Sequence, residues 1–109
     1  MAKSLEKGIR GSTSGRPIMV LFDFLGRRWA LRILWELRSE RLTFRELQSR
    51  CGNISPTILN RRLKELRELR IIDHDSSGYG HTTSGNELGE HLLDLSIWAN
   101  RWAEDARTE

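Results

Sequence analysis

The sequence predicts a mainly α-helical domain that carries one small β-hairpin. Three observations lead there. Apolar residues recur at helical spacing along most of residues 17–102. The repeat changes once, near residues 71–81, where Ile71, Ile72 and Tyr79 flank Ser76-Ser77-Gly78. Helix-start signals punctuate the rest: Pro17, Thr43 with Glu46, and Ser55 with Pro56.

Pro17 suits a first helical position, where its missing N–H leaves no bond unmade. Ile18, Leu21, Phe22 and Leu25 follow as one apolar stripe, and Gly26 ends the helix. A second helix is expected from about Arg27 or Arg28, with Trp29, Ile33, Leu34 and Leu37 on one face. Leu31 and Trp35 widen that face, which makes this helix central to the core. Thr43 and Glu46 form a capping box for a short helix with Phe44, Leu47 and Cys51 inward. Gly52 and Asn53 make a turn. Ser55 is an N-cap and Pro56 the first residue of a helix that runs uninterrupted to about Leu69.

Ile71 to Asp75 read as a strand and Tyr79 to His81 as its return. Thr82 or Thr83 caps the last helix, whose Leu88, Leu92, Leu95, Ala99 and Trp102 form a heptad seam. Leu88, Leu92 and Leu95 are expected inward, with Trp98 and Trp102 shared with a second surface. Residues 1–15, with glycines and serines among charges, read as a flexible tail; 16–104 is the folded domain and 105–109 a C-terminal tail. Short helix, tight turn, second helix and hairpin, in that order, make a winged helix-turn-helix, here with flanking N- and C-terminal helices.

A chain of 109 residues suits one domain with a single modest core. Its 38% apolar content excludes wholesale disorder. No apolar run approaches the ~18 residues of a membrane span, and residues 1–15 lack the apolar stretch of a secretory signal. One cysteine excludes an internal disulfide and a cysteine-based zinc cage. His74, His81 and His91 have no ligand spacing on a helix. There is no Ser/His/Asp order and no phosphate-cradling glycine loop. The expectation is a cytoplasmic domain without cofactor or metal, and not an enzyme.

Charge is unevenly distributed. Residues 1–37 hold seven Lys/Arg and three Asp/Glu, residues 38–70 nine and four, and residues 71–109 two and eight. A basic first two-thirds suits a polyanion, and an acidic last third is kept away from it. On a helical wheel, Leu59, Leu63 and Leu66 share one side of the 55–69 helix, with Ile58 and Leu69 at its margin. Thr57, Asn60, Arg61, Lys64 and Glu68 share the other. Arg can bond a guanine edge twice, Asn an adenine edge, and the Thr methyl can touch thymine. Thr57, Asn60 and Arg61 are therefore expected to contact bases. Arg38, Arg41, Thr43, Arg45, Ser55, Arg62, Lys64 and Arg67 are expected to contact phosphates.

The sequence resembles the HxlR-type winged-helix transcriptional regulators of bacteria, relatives of the MarR type, over roughly residues 16–102. Pro17, Asp23, Gly26 and Trp29 match the family's opening stretch; Phe44, Glu46 and Leu47 match its FxEL. Ile54, Ser55, Pro56, Leu59, Arg62, Leu63 and Leu66 match the recognition helix, and Tyr79, Thr82, Gly85 and Leu88 the segment behind the hairpin. The resemblance implies a homodimer on near-palindromic double-stranded DNA, with a repressor's role. It makes the N- and C-terminal helices dimerisation helices, with Ile18, Leu21, Phe22, Leu25, Leu95, Trp98 and Trp102 in the dimer interface. Any small-molecule effector is unknown; room for one is expected near Trp29, Trp35 and Trp98.

Three positions depart from the family. Arg16 stands where some members carry a sensing cysteine. Arg70 replaces the glycine after the recognition helix, so the chain must turn there without a residue that readily takes φ > 0. The wing, Asp73 to Gly78, holds two carboxylates and no Lys or Arg, and is expected to contribute little to DNA affinity. Charging His74 and His81 in mildly acid buffer would make it less negative. The rival reading, favoured by that acidic wing, is a winged-helix protein-interaction module that has lost DNA binding.

Overall fold

The computed structural model describes residues 15–108, so the tail expected at 1–15 lies, but for Gly15, outside the described residues. The elements follow in the order α1 (Pro17–Leu25), α2 (Ala30–Glu36), α3 (Phe44–Arg50), α4 (Pro56–Glu68), β1 (Ile72–Asp75), β2 (Gly78–His81) and α5 (Thr83–Thr108). The core lies where α2, α3 and α4 meet the base of the hairpin. Ile33, Leu34 and Leu37, Leu47 and Cys51, Leu59, Leu63 and Leu66 bury together with Leu42 and Ile72. Each such aliphatic side chain contributes roughly 1.5–3 kcal/mol on leaving water.

The helix-turn-helix is held by local chemistry. Thr43 Oγ1 accepts from the Glu46 N–H (3.2 Å), and Glu46 Oε1 accepts from the Thr43 N–H (2.9 Å). The bond from the Thr43 backbone, followed by that from its side chain, holds the Glu46 carboxyl below the usual glutamate range. At the other end of α3, Gly52 takes φ 69 and its N–H meets the Ser49 carbonyl, while the Asn53 N–H reaches back to Gln48 O. That pair of bonds is a Schellman termination. Gln48 Nε2 then donates to Ile54 O (3.0 Å), which ties the turn to α3. Ser55 is the N-cap of α4, but its hydroxyl makes no cap bond; Pro56 at the first position starts the helix.

α4 ends in the same motif without a glycine. The Ile71 N–H bonds Leu66 O and the Arg70 N–H bonds Arg67 O, with Arg70 at φ 60. The expected awkward turn is thus made in full, with an arginine in the left-handed conformation. β1 and β2 pair antiparallel, Ile72 opposite His81 and Asp75 opposite Gly78, across Ser76 and Ser77. Leu42 adds a third stub to this sheet: its N–H bonds Tyr79 O and its carbonyl accepts from the Tyr79 N–H. The wing is thereby fastened to the segment that leads into α3.

Four expectations are corrected. α2 begins at Ala30, not at Arg27 or Arg28, because Trp29 takes φ 79 and no helix can run through it. Leu31 faces solvent, so the apolar girth of α2 is not all core. In α1 the buried side chain is Val20; Ile18 and Phe22, read as part of a stripe, are exposed, Phe22 by 56%. In α5 Leu88 and Leu92 pack half-buried on the core as expected, but Leu95 is exposed rather than inward, and the helix runs to Thr108, beyond the expected end at 104. Thr82 is its cap, accepting from the Gly85 N–H (3.1 Å). The radius of gyration, 15.2 Å, exceeds the ~13 Å of a compact chain of about 100 residues, as a projecting terminal helix requires.

A non-glycine residue in the left-handed region costs about 1–2 kcal/mol, while glycine's extra unfolded-state freedom costs roughly 0.5–1 kcal/mol. Arg70→Gly is expected to raise stability by up to about 1 kcal/mol. A melting temperature a few degrees higher would show it, and an unchanged or lower one would contradict it.

Candidate nucleic-acid interface

α4 has two faces. Leu59, Leu63 and Leu66 point into the core, while Thr57, Asn60, Arg61, Lys64 and Arg67 are all exposed. Among the described residues none of these five side chains makes a hydrogen bond or ion pair. Ile58 and Leu69 sit half-buried at the margins, as the wheel placed them. Asn60, Lys64 and Arg67 share an open concavity with Tyr79, between α4 and the wing. Two amide and guanidinium groups that can bond base edges thus lie on the helix that also carries Lys64 and Arg67.

The expected phosphate contacts separate into two groups. Arg45, Ser55, Lys64 and Arg67 are exposed, with no side-chain partner among the described residues. Thr43 Oγ1 accepts within the capping box, which leaves its hydroxyl proton to donate. Three others are engaged by the protein. Arg38 donates from Nη1 to Trp35 O (2.8 Å) and lies over the Trp35 ring, 4.0 Å from its centroid. Arg62 is only 15% exposed: its Nε donates to Arg28 O (2.8 Å) and its Nη1 to Glu65 Oε1 (2.9 Å). Arg62 is therefore a brace between α4 and the α1–α2 elbow, not a free cation. The pairing with Glu65, three positions on, is local, but the bond to the Arg28 carbonyl spans 34 positions and has no signal in the sequence.

Arg41 is the third. Its Nη2 donates to Asp73 Oδ1 (2.6 Å) and to Gly78 O (2.9 Å), and its Nε to Asp75 Oδ1 (3.1 Å). The hydrogen bond to Asp73 is the main reason its guanidinium titrates higher than usual. The guanidinium also lies over Gly80, where any side chain would come within 2.6 Å of it. The two carboxylates that made the wing look repulsive are therefore spent on one arginine. Asp75 Oδ1 additionally accepts from the Ser77 N–H (2.7 Å), which shapes the hairpin tip.

The two histidines are not neighbours on the wing. His74 packs on Tyr79 near the tip, ring centroids 4.4 Å apart. His81 lies at the base, with Nε2 3.0 Å from Leu34 O. Cys51 is buried, and burial raises its thiol above the ordinary range, which suits a packed side chain rather than a nucleophile. Among the described residues no His, Cys, Asp and Glu cluster could hold a metal, and no helix is long and apolar enough to cross a membrane.

Of the residues expected at a dimer interface, Ile18, Phe22, Leu95, Trp98 and Trp102 are exposed, and Leu21 and Leu25 half-buried. Trp98 and Trp102 stack on each other, 5.9 Å apart and 7° from parallel. A mostly apolar groove runs between α2 and α5, where Leu31, Trp35, Leu92, Leu95 and Ala99 lie with Arg32 and Ser96. Trp35 lines it as expected. Trp29 lies elsewhere, at an open pocket beside Arg27 and Arg28.

A capped helix, a tight turn, a second helix with a free polar face and a fastened wing define a DNA-binding winged helix-turn-helix transcription regulator. The chain belongs to the HxlR-like helix-turn-helix family, whose model matches residues 24–107. It is similar to the HTH-type transcriptional regulator YvaP of Bacillus subtilis (strain 168), 29% identical over 89 residues that cover 75% of this chain and 82% of YvaP. YodB of the same organism is 27% identical over 105 residues, covering 90% of this chain and 94% of YodB. The crystal structure of quinone-bound YodB matches with a TM-score of 0.70 and 28% identity, covering 77% of this chain and 96% of that one. A possible HxlR family transcriptional factor from Thermoplasma volcanium matches with a TM-score of 0.67 and 26% identity, over 77% of this chain and 82% of that one.

Arg41→Ala would leave Asp73 and Asp75 without their cationic partner on the wing. It is expected to weaken duplex binding about tenfold, or about 1.4 kcal/mol. Adding Asp73→Asn and Asp75→Asn should recover most of that loss in a fluorescence titration. No recovery would mean that Arg41 itself meets a phosphate.

Proposed function

We propose that this chain represses transcription as a homodimer, setting α4 of each copy into successive major grooves of a near-palindromic operator. Thr57, Asn60 and Arg61 read bases; Arg45, Ser55, Lys64 and Arg67, with the Thr43 hydroxyl, hold phosphates. The observation that carries this reading is the exposed polar face of α4, whose side chains have no partner among the described residues and stand opposite three buried leucines. Polar groups left unpaired in this way are free to bond base edges. The dimer reading rests on α1 and α5. Their exposed Phe22, Leu95, Trp98 and Trp102 form apolar surface that a second copy can cover. Two-fold symmetry then sets half-sites about 34 Å apart or a multiple of it. The protein works in the cytoplasm, where DNA is accessible.

YodB binds a quinone in its crystal structure. By analogy the α2–α5 groove, with Trp35 and its leucines, suits a flat apolar effector in this chain. Arg16 stands at the family's sensing-cysteine position and Cys51 is buried, so such an effector is held without a covalent bond to sulfur. The protein-interaction alternative drew its support from the acidic wing. Arg41 pairs with both carboxylates, so the wing carries one uncompensated negative charge rather than two, which weakens that support.

Arg61→Ala and Lys64→Ala test the assignment. Arg61→Ala is expected to cost about 1–3 kcal/mol and to relax preference at one base position. Lys64→Ala should weaken all sequences alike and lower the salt slope by about 1. Competition binding against a randomised duplex pool reads both effects, and two variants indistinguishable from wild type would place the groove face elsewhere.

A further inference from the structure

We infer that the α1–α2 elbow is a second phosphate-binding shoulder of the DNA-binding face, with Arg28 as its contact. The inference rests on the reading of α4 as the groove helix. A helix with its side chains is about 10–12 Å across, and the major groove is about 12 Å wide. Whatever packs against the flanks of such a helix therefore lies over the phosphate walls of the groove. On one flank of α4, beside Asn60 and Arg67, lies the wing residue Tyr79. On the other lies the elbow between Leu25 and Ala30.

The elbow is fastened to α4 at two points. Arg62 Nε donates to the Arg28 carbonyl (2.8 Å), and Arg27 Nη1 pairs with Glu65 Oε2. Glu65 also receives Arg62 Nη1 (2.9 Å), so the carboxylate that would repel a phosphate on this flank is neutralised twice. Arg27 and Arg62 are committed to positioning. Arg28 is not: its side chain is exposed, forms no hydrogen bond or ion pair among the described residues, and stands 5.4 Å from the centroid of the Trp29 ring. Trp29 next to it is held at φ 79, a conformation that costs a bulky residue about 1–2 kcal/mol. Backbone strain of this kind gathers at sites of function. The braced, strained turn thus offers one unpaired guanidinium across the recognition helix from the wing.

The test is a titration of a labelled, mixed-sequence duplex of about 40 base pairs at salt concentrations from about 50 to 200 mM. Wild type is measured beside Arg28→Ala, Arg28→Lys and Arg107→Ala, the last a cation at the far end of α5. Arg28→Ala is expected to bind every duplex three- to tenfold more weakly at low salt, with the log–log salt slope lower by about 1. Arg28→Lys keeps the charge and should keep the slope; Arg107→Ala should match wild type. Thermal melting of Arg28→Ala should change little, because only the contact with the Trp29 ring is lost. Wild-type affinity and slope in Arg28→Ala would overturn the elbow contact and leave the groove helix standing. An equal loss in Arg107→Ala would overturn it as a mere net-charge effect. Failure of wild type to bind any duplex would remove the groove helix first, and the elbow with it.

Discussion

The structure depends on α4 being gripped along one side only. Leu59, Leu63 and Leu66 project from that side into the core, and all three are essentially shielded from water. Truncating any of them to alanine would cost on the order of 2–5 kcal/mol, a large part of the 5–15 kcal/mol that keeps a domain folded. Because the grip is so one-sided, the opposite side has no structural duty. Thr57, Asn60 and Arg61 are free there because the leucines do the holding. The braces at the flanks, Arg62 to the elbow and Leu42 to the wing, then set the angle at which that free side is presented.

Electrostatics follow the same division. Net positive charge is concentrated in residues 38–70, and acid in residues 71–109. Ion pairing within the fold refines this. Arg41 takes up both wing carboxylates, and Arg27 with Arg62 takes up Glu65. Among the described residues, the side chains left without a partner on this side are mainly cationic: Arg28, Arg45, Arg61, Lys64 and Arg67. A surface ion pair adds little stability, typically below about 1 kcal/mol. Offsetting the carboxylates beside the exposed face of α4 is the larger consequence of these arginines.

Local signals were legible in the sequence. The capping box at Thr43 and Glu46, the start at Pro56, the hairpin and the two-sided pattern of α4 each arise from residues within a few positions of one another. Long-range geometry was not. The Arg41 clamp joins residues more than thirty apart, and so does the Arg62 brace. A list of charges read in order makes both arginines look like phosphate ligands. The substitution of Arg70 for glycine was visible, but not its outcome: the Schellman bonds from Ile71 and Arg70 are strong enough to hold an arginine at φ 60. Helical spacing also overstated the core. Ile18, Phe22 and Leu95 fit an apolar stripe, yet no element among the described residues lies over them.

The most direct measurement is chemical protection of guanine N7, a major-groove atom, on a duplex recovered by repeated selection with this protein. Two protected tracts, centred about one helical turn apart or a multiple of it, with protection lost around one base pair in each tract on Arg61→Ala, are the predicted result. Protection confined to the minor groove, or a single tract, would contradict the account.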